Sequence, residues 1–124
     1  MRIPESGYLL RVFLGESDRW HGKPLYEAIV MKARELHLAG ATVLRGPMGF
    51  GANSRLHTAK ILRLSEDLPM VIEIVDSREK IDTLLPHIEE MVQEGLVTLE
   101  RVQVIKYRAP RPDGQGTADT ARPE

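Results

Sequence analysis

At 124 residues the chain can bury one hydrophobic core but not two. Seventeen Lys and Arg stand against eighteen Asp and Glu, so no global field draws nucleic acid and charge can act only locally. With no cysteine, disulfides and thiolate sites are excluded; Met1 to Gly7 lacks the apolar segment of a signal peptide, and no apolar run nears the ~20 residues of a membrane span, so a cytoplasmic protein without direct membrane insertion is expected.

Tyr8 to Leu14 is predicted as the first strand. Leu10, Val12 and Leu14 share one face and Leu9, Arg11 and Phe13 the other, and both faces are apolar enough to need covering. Gly15 to Lys23 reads as a polar loop. Pro24 suits the first turn of a helix, and Leu25, Ile29, Val30, Ala33 and Leu36 recur at helical spacing until Gly40, the expected stop. Ala41 to Leu44 begins the second strand, which runs into Arg45-Gly46-Pro47-Met48-Gly49-Phe50-Gly51. From Ala52 to Leu68 the periodicity is weak, with a short helical piece expected near Thr58 to Leu64. Met70 to Val75 is the third strand, with Glu73 on its less apolar face.

Asp76 and Glu79 read as a capping pair for a helix whose apolar stripe is Ile81, Leu84, Leu85, Ile88, Met91 and Val92. Pro86 inside that stripe predicts a kink or a break, and Gly95 the helix end. Leu96 to Tyr107 is the fourth strand. Pro110 to Glu124 holds three prolines, two glycines and no large apolar residue, the composition of a disordered tail. The expected division is a folded domain at 1–107 and a tail at 108–124.

The order β-α-β-β-α-β predicts an α+β, ferredoxin-like sandwich: four antiparallel strands with both helices on one face. In that topology the loop Gly15 to Lys23, the excursion Arg45 to Leu68 and the turn Gln93 to Leu96 leave the sheet at the same end, where binding residues on a rigid scaffold tend to lie. The opposite sheet face would carry Leu9, Phe13, Val71 and Val75, or the alternating residues of the same strands, and either set leaves an apolar patch that calls for self-association.

The glycine-rich corner is the most informative stretch. Gly46, Gly49 and Gly51 follow Arg45 in a G-x-x-G-x-G spacing that matches neither the dinucleotide nor the Walker pattern. Main-chain amides beside a guanidinium favour an anionic oxygen, which makes Arg45, Gly46, Gly49 and Gly51 a candidate cradle, with His21, Lys23 and Arg55 as side-chain contacts. The same glycines equally suit a loop that needs them only for its shape, and the sequence leaves both readings open. Catalytic signals are absent: His21, His37, His57 and His87 lack metal-ligand spacing, the serines lack a nucleophile setting, and Glu16 and Asp18 are two acids on one short loop. No metal and no resident cofactor is expected, nor a nucleic-acid partner, since the central strands lack stacking aromatics.

Several segments in order, Leu14-Gly15-Glu16, Gly22-Lys23-Pro24-Leu25-Tyr26, Ala39-Gly40-Ala41-Thr42-Val43, Arg45 to Gly51, Leu68 to Asp76 and Gly95-Leu96-Val97-Thr98, resemble the P-II-like family known as domain of unknown function 190. The resemblance implies a homotrimeric, non-enzymatic regulator similar to the P-II nitrogen-regulatory proteins. It also implies a small effector, an adenine nucleotide or another anion, in the cleft between subunits. A loop at about 46–68 would act on a partner protein, a membrane transporter among the candidates. The P-II tyrosine that is uridylylated has no counterpart in Gly46 to Leu68. The rivals are an acylphosphatase-like enzyme using Arg19 and Asn53, and a ligand-free adaptor trimer.

Overall fold

The computed structural model describes residues 6–49, 57–58 and 68–108. Strands β1 (Ser6–Gly15), β2 (Thr42–Arg45), β3 (Pro69–Asp76) and β4 (Leu96–Gln103) form one antiparallel sheet in the order β2-β3-β1-β4. Helices α1 (Leu25–Glu35) and α2 (Arg78–Met91) cover one face. This is the ferredoxin-like arrangement. Alternation in β1 and β3 buries Leu10, Val12, Ile72 and Ile74 against Ile29, Ile81 and Leu84 of the helices. Each such side chain stabilises the fold by roughly 1.5–3 kcal/mol relative to exposure.

Among the described residues no helix covers the other face. Leu9, Phe13, Val71 and Val75 are half-buried there, and Leu44 and Leu96 are exposed. Arg11 crosses it, with Nε 2.9 Å from Glu73 Oε2 and Nη1 3.2 Å from Glu100 Oε1.

The helix ends differ from expectation. His37, not Gly40, terminates α1: its φ of +64° places it in the left-handed region. Its N–H donates to Arg34 O (3.0 Å), and Leu38 N–H donates to Ala33 O (3.0 Å), the paired bonds of a Schellman cap. Pro24 is the N-cap rather than the first helical residue.

The cap of α2 is Ser77, whose Oγ accepts from Lys80 N–H at 3.1 Å. Asp76 is instead fully buried. Its carboxylate accepts from Ala39 N–H (2.8 Å) and Ser77 N–H (2.7 Å), tying the end of β3 to the α1–β2 connection.

Pro86 does not break α2, which runs through it. The ring lies on the exposed side, where the carbonyl that loses its partner can meet water. Nor does Gly95 end that helix; Met91 does, followed by Val92 as C-cap. β4 ends at Gln103, which pairs with Ser6, and Val104 to Tyr107 lie outside the strand. Among the described residues no helix is long and apolar enough to cross a membrane. The tail at 109–124 lies outside the described residues.

Candidate functional site

The sheet register brings the three connections to one end. Gly15 pairs with Pro69, Arg45 with Met70 and Phe13 with Leu96, so β1 and β2 leave the sheet where β3 and β4 enter it. Two backbone bonds sew the corner together: Glu16 N–H donates to Leu68 O at 2.8 Å, and Gly46 N–H to Pro69 O at 2.7 Å. The α2–β4 turn fits the same end closely. A Cβ on Gly95 would stand 2.6 Å from the Phe13 carbonyl oxygen, so only glycine lets the turn approach β1 this near.

The corner glycines have a packing role. A Cβ on either Gly46 or Gly49 would lie 2.9 Å from Pro69 Cγ, and neither glycine has a positive φ. What both positions require is space beside the Pro69 ring. The Gly46 amide is already engaged, while Met48–Gly49 pairs with His57–Thr58 in a two-residue ladder. Thr58 is therefore in a strand, not at the start of a helix. Ala59 to Leu64, Gly51 and Arg55 lie outside the described residues.

Arg45 is where sequence and geometry meet. Its Nη2 lies 2.5 Å from Glu16 Oε2, joining the base of the excursion to the β1–α1 loop across 29 positions of sequence. The pair is accessible on its cationic side, with Arg45 at 53% and Glu16 at 22% side-chain exposure. The second acid of that loop, Asp18, is spent on structure: Oδ2 accepts from Gly15 N–H at 3.1 Å. The two carboxylates thus serve separate bonds, one long-range and one local, rather than one paired acid–base site.

The remaining candidates, His21 and Lys23, sit on a feature missing from the sequence reading. Arg19–Trp20 and Lys23–Pro24 pair as a short hairpin, closed by His21 (φ +50°) and Gly22 (φ +82°). Two consecutive positive φ values suit the right-handed twist of a hairpin, and His-Gly was the one local signal for it. The His21 ring stacks on Trp20 with centroids 4.3 Å apart. Trp20 in turn packs against the core. A shallow depression lined by Ser6, Arg101, Val102 and Gln103 lies at the opposite end of the sheet. Among the described residues no cluster of three or more His, Asp or Glu could hold a metal ion.

The DUF190 family model, described as "Uncharacterized ACR, COG1993", matches residues 7–104, from the start of β1 past the end of β4. The chain belongs to this family. It is similar to a UPF0166 protein of Aquifex aeolicus (strain VF5), with 41% identity over 97 residues, covering 78% of this chain and 91% of that protein. A UPF0166 protein of Methanocaldococcus jannaschii is 33% identical over 99 residues, covering 79% and 91%. Among solved structures, the DUF190 chain resembles CPII of Thiomonas intermedia K12 bound to ADP and bicarbonate. The TM-score is 0.61 at 16% identity, over 82% of this chain and 90% of that one. A second CPII structure, of a nitrogen regulatory PII-like protein bound to ADP, AMP and bicarbonate, gives 0.59 at 14% identity, over 83% and 97%. At such identities the likeness shows a shared PII-like fold.

Proposed function

We propose that this DUF190 protein is a non-enzymatic, P-II-like regulator whose domain, residues 1–107, assembles as a homotrimer. A small anionic effector, with adenine nucleotides the first candidates, binds in clefts between subunits. The protein then acts on a partner protein, such as a membrane transporter, through residues 46–68. The observation that carries this reading is the convergence of three connections at one end of the sheet, with Arg45 there held by Glu16 rather than buried in the core. The CPII structures named as bound to ADP, AMP and bicarbonate support it by analogy of fold.

Within this reading the effector's anionic group takes Arg45 from Glu16. Arg45 stands directly before Gly46, so release of the pair shifts the population of states open to the excursion. Gly49, Gly51, His21, Lys23 and Arg55 remain the proposed further contacts. Gly46 contributes by its lack of a side chain beside Pro69, since its amide is already bonded. The uncovered sheet face, with Leu44, Phe13, Val71 and Leu96, is the surface that copies of the chain bury against one another. Of the two residues named for the acylphosphatase-like alternative, Arg19 is exposed on the hairpin and Asn53 lies outside the described residues.

Calorimetry with a panel of adenine and guanine nucleotides tests the reading. Saturable heat is expected from at least one adenine nucleotide. No heat from any member of the panel overturns it.

A further inference from the structure

We infer that the Trp20–His21 stack is the platform on which the planar ring of the effector docks, and that Lys23 beside it receives an anionic group of the same ligand. This rests on the effector-binding reading above and adds to it the place where the ligand's ring is held.

The geometry is that of a supported stacking surface. The two rings are 12° from parallel at 4.3 Å, Trp20 is anchored against the core, and His21 is exposed. An aromatic ring held flat and open to solvent offers its face to another ring, because stacking tolerates any π-system. Cross-strand pairing of Trp20 with Lys23 puts that ammonium on the same face of the ribbon as the stack, while Arg19, paired with Pro24, belongs to the other face. No ion pair among the described residues engages Lys23. The turn itself does not ask for histidine. Its first central position is more often Asn, Asp or Gly, and His21 adds a ring that the turn does not need.

Trp20 is the single tryptophan of the chain, so its emission reports on the platform alone. AMP, ribose 5-phosphate and adenosine separate the two halves of the proposed contact. The expected result is saturable quenching of Trp20 by AMP and by adenosine at higher concentration, with none from ribose 5-phosphate. His21→Asn keeps a turn-compatible residue without the ring, and is expected to weaken AMP by about five- to a hundredfold, the range of one lost base stack. Lys23→Gln is expected to weaken AMP and leave adenosine unchanged. Calorimetric binding of AMP with undiminished affinity in His21→Asn overturns the platform while the effector-binding reading stands. No binding of any nucleotide to the wild type overturns both.

Discussion

Glu16→Gln is expected to tighten binding of a phosphate-bearing effector, and Arg45→Ala to weaken it. The reason lies in one ion pair. Arg45 is accessible, but its guanidinium is already matched at 2.5 Å by the Glu16 carboxylate, so an incoming anion competes with an internal one. An accessible pair of this kind contributes only about 0–1 kcal/mol to folding, so neither variant should unfold the chain. Glutamine at 16 keeps the shape but not the charge. Removing a competitor worth up to about 1 kcal/mol strengthens the effector by up to roughly fivefold. Losing the guanidinium removes charge-assisted bonds of about 1.5–3 kcal/mol, which is roughly a ten- to hundredfold loss. The opposite signs matter more than the sizes. Calorimetric titration of both variants with ADP reads them directly, and weaker binding by Glu16→Gln would mean that Glu16 is itself a ligand contact.

Asp76→Ala is expected to be the most destabilising single change at the other end of the molecule. Asp76 is fully buried, and its two oxygens satisfy the amides of Ala39 and Ser77. Truncation leaves both donors without an acceptor. At about 1–3 kcal/mol for each unsatisfied buried group, the loss is about 2–6 kcal/mol, against a typical domain stability of about 5–15 kcal/mol. Asparagine does not repair this, since its Oδ1 can serve one amide while its NH2 opposes the other. Urea denaturation should show a large drop in midpoint for both variants at unchanged slope. A loss under about 1 kcal/mol would show that water replaces the carboxylate. Because Asp76 pairs with Tyr8, at the far end of β1 from Gly15, nucleotide affinity of the folded fraction should be unaltered.

The strands and their faces were legible because period-two alternation in Leu10, Val12 and Leu14, and again in Met70, Ile72 and Ile74, has one physical explanation: a half-covered sheet. Topology then placed the three connections at one end without further information. What stayed hidden depends on long-range contacts. Asp76 looks like a helix cap from its neighbours, and its long-range partner, the amide of Ala39, is 37 positions away. Arg45 was legible as a cation beside glycines, but its partner Glu16 was not. The glycines themselves fit either a close-approaching ligand or a packed proline, and Pro69 is distant in sequence from both Gly46 and Gly49. His37 closes α1 where glycine was expected because its φ of +64° is compensated by two backbone bonds that no propensity encodes.

All of the proposed chemistry requires clefts between identical subunits, so the mass of the protein in solution is the most direct test. Light scattering coupled to size exclusion should give about three times the 14.0 kDa of one chain. Charged substitutions at Leu44 and Phe13, on the uncovered sheet face, should reduce that mass. A stable single-chain mass for the wild type, across the concentration range in which nucleotide is bound, would contradict the account.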